Sequence, residues 1–256
     1  MNEPAPDPEK LAESSLLSHL LELRNRLLRA MIATAIIAVP CLYFANDIFT
    51  WLSEPLRAQL PAGTKLIATS VVAPFMAPFK LALLAAIFLA MPVILYQIWA
   101  FVAPGLYRHE RRFALPLFVS SVVLFYCGTA FAYFLVFPAM FQFFVMTTPE
   151  GAELLPDITQ YIDFAVLLFF AFGLAFEIPV ATVLLVRTGL VKLESLTKNR
   201  GYVLLGIFII AAFLTPPDAV SQTLMALPMY ALFEAGIIMS RLLVRAPPPD
   251  PEADPA

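Results

Sequence analysis

Read from its amino end, the chain alternates long apolar runs with short polar ones, and the runs have the length of membrane-crossing helices. MNEPAPDPEKLAE is polar and proline-containing and predicts a disordered tail over 1–13, as the final 246–256 does at the other end. Residues 14–245 between them read as a single membrane domain. Its apolar runs lie at about 27–44, at 81–102, within the charge-free stretch 113–144 with a predicted close near Pro138, at about 164–186, and at 202–214 and 223–240. Six transmembrane helices are thus predicted, the last two short. The 202–214 run rises only ~20 Å as a helix against a hydrocarbon core of ~30 Å. Either the bilayer thins there, or the last two segments form a hairpin that does not fully cross.

The connections add two details. DIFTWLSEPLRAQL, in the loop after the first run, predicts a short helix along the membrane interface with Trp51 and Leu52 as anchors and Pro55 in its path. Prolines 40, 92, 116, 179 and 228 inside apolar runs predict kinks, which membrane helices tolerate because neighbours re-satisfy the freed carbonyls. When alternate connections are assigned to opposite sides, 13 of the 16 Lys and Arg fall with the two ends and the 103–112 and 187–201 loops. Only Arg57, Lys65 and Lys80 lie opposite. By the positive-inside rule both termini are cytoplasmic. The fold class is all-α, a polytopic membrane protein.

Composition closes off several function classes. Of 256 residues 61% are hydrophobic and 14% charged, against roughly 45–50% and about 25% in ordinary soluble domains, so membrane lipids are obligatory partners and no separate soluble catalytic domain fits. The net charge of −3 comes from the acidic tails and hides a mildly basic body. No basic cluster supports a nucleic-acid partner. Cys41 and Cys127 both sit in apolar runs, are read as small core residues, and exclude a disulfide framework or a multi-cysteine metal site. Both histidines, His19 and His109, lie at the cytoplasmic edge, and no nucleophile with a base, metal set or cofactor motif is visible. The chain reads as a non-enzyme without metal or cofactor.

Candidate chemistry is confined to a few polar positions. On a helical wheel of SSLLSHLLELRNRLLRA, Ser15, Ser18, His19, Glu22, Arg26 and Arg29 share one arc and most leucines the other, with Arg24 stranded among the leucines. Two readings stand. Either this is an amphipathic entry to the first span with an i,i+4 Glu22–Arg26 pair, or Arg24 pairs inside the protein and Glu22 is left facing a partner. Glu110, set among Arg108, Arg111 and Arg112, is either a local ion pair or the second of two edge carboxylates able to receive guanidiniums. Glu177 lies near the middle of the fourth span, where an ionisable group is a functional candidate by default. It is either neutral and hydrogen-bonded between helices or part of a proton relay. Asp218 and Gln222 follow Pro216 and Pro217, where turn formation alone is a sufficient account, and Glu234 reads equally as a polar helix contact.

Four segments, SHLLELRNRLLRA, FVAPGLYRHERR, FGLAFEIPVA and LTPPDAVSQTLMALPMY, together resemble the TatC family of the twin-arginine protein translocase, in order and across about residues 14–245. The resemblance implies a six-helix, cup-shaped protein of the bacterial cytoplasmic (inner) membrane that receives folded proteins through a signal peptide bearing two adjacent arginines. It implies hetero-oligomeric assembly with single-span TatA-type and TatB-type subunits and transport driven by the proton gradient. By position, Glu22 and Glu110 become the signal-binding acids, with His19, Leu20, Arg24 and Phe101 in the same cytoplasmic surface. Pro55 falls in the outer cap, Glu177 at the polar floor of the cup, and Asp218 with Gln222 where partner subunits dock. From the residues alone, the alternative is a proton-coupled small-solute transporter using Glu177.

Overall fold

The computed structural model describes residues 8–59, 66–102, 111–149, 155–215 and 218–243. The ordered elements are helices: α1 (Pro8–Tyr43), α2 (Ala45–Gln59), α3 (Ala73–Val102), α4 (Arg111–Phe131), α5 (Phe137–Thr147), α6 (Ile158–Ala175), α7 (Ile178–Arg187), α8 (Leu193–Lys198), α9 (Arg200–Leu214) and α10 (Ala219–Leu243). Among the described residues, five stretches are long and apolar enough to cross a membrane: His19–Tyr43, Ala73–Phe101, Leu115–Thr147, Ile158–Arg187 and Ala219–Leu243. The protein is an all-α, polytopic membrane protein. Helix α9, at 15 residues, rises ~22 Å and is short as expected, whereas α10, at 25 residues, extends the expected 223–240 run at both ends and reaches ~37 Å.

Other boundaries also move. Helix α1 starts at Pro8, inside the segment whose composition predicts disorder. Proline is favoured at a first helical position, where its missing N–H costs nothing. Helix α3 starts at Ala73 rather than near 81 and runs through Pro78 and Pro92. The third span does not close at Pro138. A π-helical turn over Ala132–Val136 joins α4 to α5, and the Phe137 N–H donates to the Ala132 carbonyl. That widened turn makes room ahead of Pro138, whose ring would otherwise meet the carbonyl of Phe134.

The described residues fall into two compact units. The first comprises those within Met1–Arg57, Ala62–Val122 and Leu155–Ile162. Here α1 packs along α3 through small residues, with Cys41, Ala82 and Ala86 buried against Ile37, Ala38 and Ala85. The leucine arc of α1 (Leu20, Leu21, Leu23, Leu27 and Leu28) is exposed, as suits a face turned to lipid. Leu52 is not an interfacial anchor. It is buried, and its carbonyl accepts from the Tyr161 hydroxyl, so α2 is held to the start of α6 while Trp51 stays exposed.

Asp157 ties the same region together. Its Oδ2 accepts from the Thr69 hydroxyl at 2.7 Å and the Thr69 N–H at 3.0 Å, and its Oδ1 caps α6 by accepting from the N–H groups of Thr159 and Gln160. The backbone joins in through Ile67 N–H to Pro156 and Ile158 N–H to Ile67. The hydrogen bond from the Thr69 side chain, followed by the backbone donors, lowers the Asp157 carboxyl to about 2.

The second unit comprises residues within Ala58–Pro61, Val123–Leu154 and Asp163–Ala256. Its core is aromatic, with Phe125, Phe137 and Phe172 fully buried and Phe137 lying 4.7 Å from Phe141 and 5.8 Å from Phe169 between ring centroids. Cys127 departs from expectation by being exposed. It follows the buried Phe125 by two residues, which turns it ~200° away from the packed face. Helix α10 lies against α7, α8 and α9. Gly236 lets α10 approach α7 closely, since a Cβ there would stand 3.0 Å from the Pro179 Cα.

Candidate functional site

The first candidate surface is the end of the α1–α3 pair. Because these helices run antiparallel, the early turns of α1 meet the last turn of α3, and the His19 ring stacks on Phe101 with centroids 4.3 Å apart and planes at 25°. Glu22 lies one helical turn beyond His19. Leu20 is 60% exposed, but two residues before Glu22 it points to the other side of the helix. The structure thus brings His19 and Phe101 together with Glu22 one turn on, whereas Leu20 lies on the opposite, exposed arc of α1.

The two arginines take different surroundings on α1. Among the described residues Arg24 has no acidic partner. It is exposed, and its guanidinium lies 3.4 Å from the neighbouring Asn25 Oδ1. It is Arg26 that turns toward Glu22, with Nε 3.0 Å from Oε1 and Nη2 on the same oxygen. The cause lies in the helix face: Glu22, Arg26 and the buried Ala30 recur every four residues on the side that packs, whereas Arg24 shares the lipid-facing arc and can reach water by extending its stem. Glu110 lies outside the described residues. Pro55 falls within α2, and its side chain lies outside those described.

Glu177 sits at a break rather than in the middle of a continuous helix. Helix α6 ends at Ala175 and α7 begins at Ile178. The Pro179 ring would clash with the Ala175 carbonyl four residues back, and the chain responds with a tightened turn in which the Glu177 N–H donates to Leu174 at 3.0 Å. Glu177 becomes the residue that precedes α7 without capping it, and its side chain is half-buried. Of the predicted proline kinks this is the one marked by a break between assigned helices; Pro40, Pro92, Pro116 and Pro228 lie inside continuous ones.

At the turn between α9 and α10 both candidates have jobs within the chain. Asp218 caps α10, its Oδ1 accepting from the Ser221 N–H at 2.7 Å. Gln222 donates from Nε2 to the Phe208 carbonyl on α9 at 2.9 Å. At the far end of the same helix pair, Glu234 accepts from Arg200 Nη2 at 2.9 Å and from the Tyr230 hydroxyl at 2.9 Å. Glu234 thus makes a polar contact between α10 and α9. Asp157 is not among the positions singled out from the sequence; the available signal was an Asp directly before the apolar run of α6. Among the described residues no group of three His, Cys, Asp or Glu could hold a metal ion.

Comparison with known proteins gives a consistent answer. The family model described as "Sec-independent protein translocase protein (TatC)" matches residues 18–228. A protein named Sec-independent protein translocase protein TatC from Azotobacter chroococcum mcd 1 is 56% identical over 230 residues, 90% of each chain. Its namesake from Escherichia coli (strain K12) is 53% identical over 229 residues, 90% of this chain and 89% of that one. A crystal structure described as the twin-arginine translocase receptor TatC superposes with a TM-score of 0.78 at 36% identity, covering 88% of this chain and 98% of that chain.

Proposed function

This chain belongs to the TatC family of Sec-independent protein translocases, and from that premise we propose that it is the receptor subunit to which twin-arginine signal peptides of folded cargo bind. As a translocase component of the bacterial inner membrane it serves transport, and the solute-transporter alternative gives way to that assignment. In the proposed arrangement both termini are cytoplasmic and six helices cross. The signal docks at the α1–α3 end, on Glu22 and Glu110 with His19, Leu20, Arg24 and Phe101 around them. Pro55 belongs to the outer cap, and Glu177 lies on a polar surface within the membrane. Single-span TatA-type and TatB-type subunits dock near Asp218 and Gln222, and the proton gradient drives export. The role is not enzymatic.

The observation that carries the reading is the His19–Phe101 stack one turn from Glu22, which sets an aromatic platform near a carboxylate, with the exposed leucine arc on the other side of the same helix. A signal peptide with two arginines followed by an apolar stretch needs those features. A unit charge pair at 4 Å is worth ~4 kcal/mol at an effective dielectric of 20, and desolvation leaves about 1–2 kcal/mol of it. Glu22→Gln and Glu110→Gln should each weaken binding of a fluorescent twin-arginine signal peptide to the full chain in nanodiscs by about tenfold. A peptide with two lysines should bind worse than one with two arginines, because an ammonium lacks the planar fork. Unchanged binding by the double variant, with melting as in the parent, overturns the proposal.

A further inference from the structure

We infer that Arg26 is a built-in competitor for the Glu22 carboxylate, holding it between cargoes and being displaced when a signal arginine binds. The inference rests on the reading of Glu22 as an acceptor for that arginine. Both contacting nitrogens of Arg26 converge on one oxygen, Oε1, so the fork is spent on half of the carboxylate. Oε2 accepts no hydrogen bond from any described residue. The side chains differ in depth as well, Arg26 being 19% and Glu22 38% exposed. The resident guanidinium therefore lies on the packed side of the carboxylate and leaves the more open side to an incoming one.

A carboxylate engaged in this way meets an arriving guanidinium through exchange. The first contact forms on Oε2, and full two-oxygen pairing, the geometry a guanidinium fork favours, requires Arg26 to withdraw from Oε1. One charge-assisted pair replaces another of the same chemistry, so the resident pair offsets part of the gain and cargo can leave again. Taken at the strength of an ordinary i,i+4 helix pair, the contact is populated about two to one over its open form. The binding-competent, open form is then about a third of the population, and apparent affinity is reduced about threefold.

The test is a double-mutant cycle on the full chain in nanodiscs, with a fluorescent twin-arginine signal peptide and its twin-lysine counterpart as probes. Arg26→Met, which keeps stem volume without charge, should tighten binding of both peptides by about threefold and slow dissociation. The factor should be the same for each peptide, since the same competitor has been removed. Arg26→Lys, which keeps the charge but loses the fork, should tighten binding less and guards against a folding defect in the Met variant. In a Glu22→Gln background, Arg26→Met should change nothing. Weaker or unchanged binding by Arg26→Met in the parent background, where Glu22→Gln still lowers affinity, overturns the inference and leaves the reading of Glu22 standing. If Glu22→Gln itself binds as the parent does, the reading of the site falls and the inference with it.

Discussion

Gly128→Ala is the substitution for which the structure specifies the consequence most sharply. Gly128 lies on α4 where that helix crosses α6, and a Cβ there would stand 2.4 Å from the Phe172 carbonyl oxygen and 2.9 Å from the Phe176 Cβ. Neither neighbour can yield alone. The Phe172 carbonyl accepts the Phe176 N–H at 3.0 Å, in the last turn before the break at Glu177, and Phe172 itself is fully buried. The helices must part by about 1 Å to reach ordinary van der Waals separation, which loosens the contacts of Phe131 with Phe172 and Phe176, now 5.5 and 5.6 Å between centroids. Inserting a methyl into a packed core of this kind costs about 1–3 kcal/mol. At about 2–4 °C per kcal/mol for a chain of this size, the melting temperature of the purified protein in detergent should fall by roughly 2–12 °C. Gly206→Ala on α9 is the matched control, because a methyl added there would meet nothing within 4 Å, and it should be neutral or slightly stabilising. A Gly128→Ala protein that melts with the parent would refute the claimed close approach of α4 to α6.

Three further substitutions test other parts of the account. Glu177→Gln should leave folding nearly unchanged, since the break follows from Pro179 and not from the carboxylate; a large loss of thermal stability contradicts this. Asp157→Asn should loosen the tie between the 66–72 segment and α6, read as faster proteolysis there. With the carboxyl lowered to about 2, its contribution is fully present above the ordinary value near 3.8 and is lost only as pH falls toward 2, so the difference from the parent should be constant between pH 5 and 8. A difference that grows or shrinks in that window contradicts the assignment. Asp218→Cys, in a background lacking Cys41 and Cys127, should react with an impermeant maleimide added to the outside of cells if α9 crosses a locally thinned bilayer; labelling only after permeabilisation means the turn stays submerged.

Much of this fold was legible because a membrane helix announces itself by apolar length, and the polar positions are few enough to weigh singly. The limits are physical. Hydropathy marks where side chains prefer lipid and says little about where backbone hydrogen bonding stops, so Pro78 and Lys80 made the first turns of α3 look like loop. The third span passes Pro138 because one hydrogen bond shifts register to make a π turn, and no residue pattern signals that shift. At the candidate site the i,i+4 spacing of Glu22 and Arg26 was readable as a possible pair, but the choice between Arg24 and Arg26 depended on which face of α1 packs against α3. Placing His19 and Phe101 on one surface joins residues far apart in sequence and was implied by family resemblance rather than periodicity; their stacking is a finding of the structure. Asp218 and Gln222 have intrachain partners that account for them structurally, so any docking role there adds to a cap and an interhelix bond already formed.

The central claim, that a twin-arginine signal peptide docks on the α1–α3 end, is tested most directly by placing a photo-crosslinking amino acid at Leu20 or at Phe101 and irradiating membranes that contain a labelled signal peptide. The account predicts a crosslink from each position, removed by excess unlabelled twin-arginine peptide, weakly affected by its twin-lysine counterpart and abolished by Glu22→Gln with Glu110→Gln. Crosslinks that appear instead from Phe213 on α9, with none from Leu20 or Phe101, would contradict it.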